Sequence, residues 1–224
     1  MNFYVAIDGA DGCGKTTQAT LLAAAFASRG TACLHLREPG STPLGEGLRR
    51  VLLDPSTGEL DPLAEALAFS AARREMLVRE VAPALAGGVA VVAERCFLST
   101  VAYQCRSSHA GQRADEDLVR DVTAHLLRIA NPDLIIVLDV PEAVAASRLV
   151  QAGRLDRIEA RPPAFHAAVR AAMRSFAAPD SRWAGLLRRP GDPGPCSRIR
   201  MLDGTASREQ VHARILALVG EFAR

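Results

Sequence analysis

The chain of 224 residues is 49% hydrophobic and 23% charged, with a formal net charge of +2. This suits one α/β domain with a sizeable core, and so small a net charge gives no global field of the kind nucleic-acid binders carry. Five cysteines, an odd number with no C-x-x-C, argue against a disulfide framework or a zinc site and for a reducing cytoplasm; a start unlike a leader, and no apolar run near ~18 residues, argue against secretion and membrane spanning.

Phe3–Asp8 is a short apolar run that reads as a buried parallel strand. It leads into GADGCGKTTQ, where Gly9, Gly14, Lys15 and Thr16 satisfy G-x-x-x-x-G-K-[ST] in full, and a helical pattern, Lys15–Arg29, follows at once. In such a loop the glycines let backbone N–H groups turn inward around an anion, and the helix N-terminus adds partial positive charge. Lys15 is placed to reach the β- and γ-phosphates and the Thr16 hydroxyl to ligate Mg²⁺. Gly9, Ala10, Asp11, Gly12, Cys13, Gly14, Lys15, Thr16 and Thr17 are therefore expected to cradle ATP phosphates. Lys15 is the chain's only lysine, so the N-K-x-D segment with which GTPases read their base is absent. A compact kinase fits better than a GTPase or a large ATPase. Cys13 has two readings: a thiol whose pKa the loop and Lys15 lower, alkylated fast and protected by ATP, or a small residue tolerated in a tight turn.

Further along, Ala32–Leu36, Val89–Ala93, Leu134–Asp139 and Ile199–Leu202 repeat the buried-strand pattern. Helical patterns lie between them. Pro62–Leu85 carries an apolar stripe of Leu63, Leu67, Met76 and Leu77; Asp115–Ile129, Pro141–Gln151 and Arg208–Phe222 follow. Strands alternating with helices predict a three-layer, doubly wound, five-stranded parallel sheet with right-handed connections. Gly153–Pro163, GRLDRIEARPP, is polar and arginine-rich between two helices and reads as a mobile appendage; Arg189–Ser197 reads as a surface loop of proline and glycine. No repeat or linker divides residues 1–224. The five histidines show no metal-ligand spacing and read as surface or satisfied polar residues.

Four stretches sharpen this: LREPGSTPLGEGLRRVLL, ALAFSAARREM, VVAERCFLSTVAYQ and GRLDRIE. With the glycine loop, their order and spacing resemble the thymidylate kinases, P-loop nucleoside monophosphate kinases that move the γ-phosphate of ATP to dTMP, from residue 3 to about residue 160. The resemblance implies a five-stranded parallel sheet with a small lid at about 153–163, Mg²⁺, ATP as co-substrate, dTMP as acceptor and a cytoplasmic homodimer. It implies that Phe69 stacks on the base and that Arg73, four residues on and hence on the same helical face, donates to a base carbonyl. Thr100 and Gln104 would meet the base edge and Tyr103 the deoxyribose. Arg49 and Arg95 would hold the acceptor phosphate, with Glu38 ordering them. Asp8 and Glu94, at strand ends, would join Thr16 at the metal. Glu94 stands where the family usually has aspartate, Cys96 where it has tyrosine, and Ala72 and Met76 where Asp and His are frequent. The phosphate loop itself lacks arginine, so the lid arginines Arg154 and Arg157 are expected to stabilise transfer beside Lys15, while Arg161 reads as a solvated charge. Two other readings fit the same residues: a kinase of another or a modified deoxypyrimidine monophosphate, and a nucleotide-binding regulator without catalysis. The apolar faces of helices 62–85 and 115–129 would serve either a dimer contact or the core.

Overall fold

All five apolar runs pair into one parallel sheet. The computed structural model describes residues 2–107, 111–153, 155–178, 180–187 and 198–222. The strands are β1 Tyr4–Gly9, β2 Cys33–Arg37, β3 Ala90–Glu94, β4 Leu134–Asp139 and β5 Ile199–Asp203, in the order β2-β3-β1-β4-β5. Each lies within a residue of its expected limits. Alternation along the central strand explains the three layers. Tyr4 and Ala6 face one core, with Val91, Ile135 and Trp183, while Phe3, Val5 and Ile7 face the other, with Leu22, Phe26 and Ile215. Both faces of β1 are thus buried, which is why its sequence is a continuous apolar run.

The helices are α1 Lys15–Ser28, α2 Pro43–Leu53, α3 Pro62–Met76, α4 Ala82–Ala86, α5 Phe97–Thr100, α6 Glu116–Leu126, α7 Glu142–Ala152, α8 Pro163–Phe176 and α9 Arg208–Phe222. The expected helix 62–85 is interrupted by a π turn over Leu77–Val81, where the Ala82 N–H reaches back five residues to the Leu77 carbonyl. Pro83 follows, lacks the N–H an α-helix requires, and so favours a shifted ladder just ahead of it. A second π turn, Val101–Arg106, extends α5. No expected element covered α2. It starts where the Thr42 hydroxyl accepts the Gly45 N–H at 3.0 Å with Pro43 in the first turn, a cap signature diluted by two internal glycines.

Residues 155–161, within the expected lid, are docked on α2 and α3. The Arg157 N–H donates to the Leu53 carbonyl at 3.0 Å, Ile158 is buried, and Arg161 pairs with Glu65 at 2.9 Å. Arg161 is therefore no solvated charge: it is buried, with its guanidinium also over the Phe165 ring. The expected loop 189–197, with Cys196, and His109 lie outside the described residues. Among the described residues, no helix is long and apolar enough to cross a membrane.

β1 lies between β3 and β4, and the connection leaving β1 runs one way, to β2, while that leaving β4 runs the other, to β5. That opens a crevice beyond the carboxyl ends of the strands, where open α/β sheets bind ligands.

Candidate active site

At that crevice β1 ends and the glycine loop begins. Gly9 has φ +143°, and a Cβ there would meet the Leu138 carbonyl oxygen at 2.5 Å; Gly12 has φ +75°, and a Cβ there would meet the Ala145 carbonyl oxygen at 2.4 Å. Both positions exclude side chains on two counts, which fixes the loop as a tight turn into α1. Lys15 Nζ donates to the Ala10 carbonyl at 3.2 Å and lies 3.5 Å from Asp11 Oδ1. The Cys13 thiol, 2% exposed, packs inward into the second core. The small-residue reading of Cys13 thus holds, and the reactive-thiol reading falls to burial.

Asp11 ties the loop to the far side of the crevice. Its carboxylate accepts the Tyr103 hydroxyl at 2.7 Å and pairs with both Arg95 and Lys15. Burial pushes this carboxyl up, but Arg95 and Lys15 outweigh it and hold Asp11 well below the usual carboxylate range. Arg95 has φ +71°, unusual for a residue with a Cβ, and also donates to Ser99 Oγ at 3.0 Å. Such a backbone costs on the order of 1–3 kcal/mol and is held by the surroundings; here the Arg95 N–H is pinned to the Ile7 carbonyl at 2.9 Å.

A cavity of about 550 Å³ runs from this loop past Arg95 to a second wall of Arg49, Phe69, Arg73, Thr100, Tyr103 and Gln104. Arg73 Nε donates to Glu38 Oε2 at 2.6 Å and Arg73 Nη2 to Thr100 Oγ1 at 3.0 Å. Burial raises the Glu38 carboxyl, with Arg73 opposing it. Two buried groups here have no hydrogen-bond partner: Arg73 Nη1, a donor, and Glu38 Oε1, an acceptor. Both atoms are free to pair with a group entering the cavity. Arg49 also lines the cavity and donates to the Pro39 carbonyl at 3.1 Å. Gln104 faces it but spends its amide N–H on Glu65 Oε1 at 2.8 Å.

Two expectations change. Asp8, expected at the metal, is 0% exposed and absent from the cavity wall. Its oxygens accept from the Gly9 N–H, the Cys96 N–H and thiol, and the Ser99 N–H and hydroxyl, at 2.7–3.2 Å. That saturates a carboxylate's roughly four lone-pair sites, so Asp8 braces the turn after β3 instead of binding a cation. Arg157, expected to stabilise transfer, points away from the cavity: its Nε donates to the Leu52 carbonyl at 2.8 Å and Nη2 lies 3.2 Å from Glu65. Arg154 lies outside the described residues. The arginine that does reach the loop from this side is Arg148 of α7, 3.4 Å from the Cys13 carbonyl and 3.1 Å from the Gly204 carbonyl. Neither it nor Ser99, Asp156 or Glu159, which also line the cavity, was singled out in the sequence. Arg148 sits in an ordinary amphipathic stretch, and only the fold brings it over the loop.

Thr16 and Glu94, the other residues expected at a cation, stand together. The Thr16 hydroxyl donates to Glu94 Oε2 at 2.7 Å at the edge of the cavity. These are hard oxygen donors, the kind that hold Mg²⁺ through one or two protein groups while substrate phosphates supply more. Among the described residues no group of three or more His, Cys, Asp or Glu could hold a metal by itself, which fits that division.

A parallel sheet with a phosphate loop at its switch point and a second ligand wall across one cavity defines a P-loop protein of the nucleotide kinase kind. The family model of thymidylate kinase matches residues 7–186. Similar proteins include the thymidylate kinases of Pelotomaculum thermopropionicum, 33% identical over 97% of this chain and 93% of that protein, and of Deinococcus radiodurans, 33% identical over 97% and 96%. The thymidylate kinase of Thermomicrobium roseum is 43% identical over 82% of this chain and 85% of its own length. The chain belongs to the thymidylate kinase family.

Proposed function

We propose that this protein transfers the γ-phosphoryl group of ATP to dTMP, forming dTDP. The observation that carries the reading is the single cavity whose two halves suit different ligands. One half is lined by the glycine loop and Lys15; the other by a ring, Phe69, beside the Arg73 donor Nη1, which has no protein partner. Phosphoryl transfer asks little covalent chemistry of a protein and much positioning and charge. The loop and Lys15 would hold the donor phosphates. Arg95 and Arg49 would fork the acceptor phosphate, aligning it in line with the γ-phosphorus. Phe69 would stack on thymine, and Arg73 Nη1 would donate to a base carbonyl. Tyr103, held by Asp11, would pack against the sugar.

Thr16 and Glu94 would hold Mg²⁺, which when bound neutralises part of the charge on the donor phosphates. Closure of the 153–163 segment belongs to the same reading, with Arg148 the described arginine that already faces the loop. The family resemblance adds a cytoplasmic homodimer of a single kinase domain. Leu67 of α3, Val78 of the π turn and Leu118 of α6 are each about 40% exposed and would furnish its apolar contact, while Leu63, Met76 and Leu77 serve the core.

Calorimetric binding of dTMP and dCMP tests the base site. A donor facing a carbonyl would face an amino group in dCMP, so dCMP should bind at least about tenfold more weakly, a difference of ~1.4 kcal/mol. Equal affinity, or no binding of either, would remove the assignment of Arg73.

A further inference from the structure

The scheme above leaves out His35, an exposed residue of β2. In register, His35 lies opposite Val92 and Arg37 opposite Glu94, so the side chains of His35, Arg37 and Glu94 stand on one face of the sheet. His35 Nε2 is 2.9 Å from Glu94 Oε1, the oxygen that Thr16 does not use. The contact is a close N–O approach, an ion pair when the imidazole is protonated. Arg37 is the nearer cation in register, but its guanidinium is spent on both oxygens of Glu46, at 2.9 and 3.0 Å. The imidazole is therefore what reaches Glu94 from β2. Glu94 thus stands between Thr16 after β1, which donates to one oxygen, and the His35 imidazole on β2, which touches the other. A carboxylate one methylene shorter would sit back by about 1.5 Å, one carbon–carbon bond, and could not span both.

We propose that His35 is a positioning residue for phosphoryl transfer. Its imidazole, in contact with one oxygen of Glu94, restrains that carboxylate and so keeps the other oxygen turned to Thr16, where the divalent cation would be held. The inference rests on the reading of Thr16 and Glu94 as the cation's protein ligands. A glutamate has three side-chain torsions, and with one donor alone its carboxylate would rotate away from the mouth of the loop. Outer partners of ligating groups commonly matter by about 10–100-fold in metal affinity.

The test uses Mn²⁺ as a spectroscopic substitute for Mg²⁺. Its binding to the full-length protein with a non-hydrolysable ATP analogue is read by electron paramagnetic resonance, alongside kcat and KM with ATP, Mg²⁺ and dTMP. His35→Ala should weaken Mn²⁺ binding by about 10-fold or more and lower kcat while the KM for dTMP stays put. His35→Gln, whose amide still donates, should recover most of both. With Glu94→Asp as background, adding His35→Ala should change Mn²⁺ affinity less than about twofold, because the shorter carboxylate no longer meets the ring. Mn²⁺ affinity in His35→Ala equal to wild type, when Glu94→Ala has lost it, would overturn the proposal while leaving the cation site intact. So would equal losses in His35→Ala and His35→Gln. Unchanged Mn²⁺ affinity in Glu94→Ala would remove the cation reading and the proposal with it.

Discussion

Asp11 keeps two cations, Lys15 and Arg95, beside each other, and the Tyr103 hydroxyl completes its shell. Its lowered pKa sets a sign. The unfolded chain takes up this proton first on acidification, so the stabilisation is fully present above the ordinary carboxylate pKa of about 4 and is lost as the pH falls through the lower folded value. Asp11→Asn should therefore lose about 1–3 kcal/mol at neutral pH, and the gap to wild type should close in acid. Urea unfolding at both pH values checks it; a gap that widens in acid contradicts it. Lys15→Ala should cut kcat to below about a tenth, a loss exceeding ~1.4 kcal/mol of transition-state stabilisation, with the melting curve little changed. A variant that keeps more than that would deny the loop its catalytic role. Glu94→Ala should lose several orders of magnitude in kcat, and Glu94→Asp less than about tenfold. Among the described cysteines, Cys33 is the partly exposed one and Cys13 is buried. Iodoacetamide should label Cys33 before Cys13, and more quickly above the ordinary thiol pKa of about 8.5, since burial pushes the Cys33 thiol up. Mass-spectrometric mapping that finds Cys13 labelled first would contradict the inward packing.

Glu65 links three elements. From α3 it accepts Gln104 of the π turn after α5 and pairs with Arg157 and Arg161 of the segment before α8. It is 1% exposed. Removing one member of such a group leaves the others charged and buried, so Glu65→Ala should cost about 3–5 kcal/mol in urea unfolding. A loss under about 0.5 kcal/mol, the range of ordinary surface substitutions, would show the group to be unimportant. None of this was legible in the chain. The spacing from Glu65 to Gln104 and to Arg161 carries no periodic signal, and the arginines were read by their neighbourhood in a polar stretch. Periodicity did find α3, because Pro62 follows Asp61, whose carboxylate caps the Leu63 and Ala64 N–H groups at 3.0 and 2.9 Å. It missed the π turn, whose cause, Pro83, is visible but whose consequence is a ladder shift that composition does not encode.

Over the whole molecule, the sheet was legible because both faces of β1 and β4 are buried, so each strand is a bare apolar run between breakers. The glycine loop was legible for a different reason: its chemistry is carried by contiguous residues. The acceptor wall draws Phe69 and Arg73 from α3, Thr100 and Tyr103 from α5 and its extension, and Arg49 from α2. No local pattern joins those; the resemblance to the family did. Asp8 shows the limit of that transfer, since being at a strand end beside the loop does not reveal that five protein donors already fill its carboxylate. One assay bears on the account as a whole: steady-state turnover of the purified protein with ATP and Mg²⁺ against dTMP, dUMP, dCMP, dAMP and dGMP, with nucleoside diphosphate products resolved by chromatography. The account predicts dTDP as the main product, with kcat/KM for dTMP at least about tenfold above any of the others. A higher kcat/KM for another monophosphate would contradict the assigned acceptor, and no product from any of them, in protein that still binds ATP, would contradict catalysis itself.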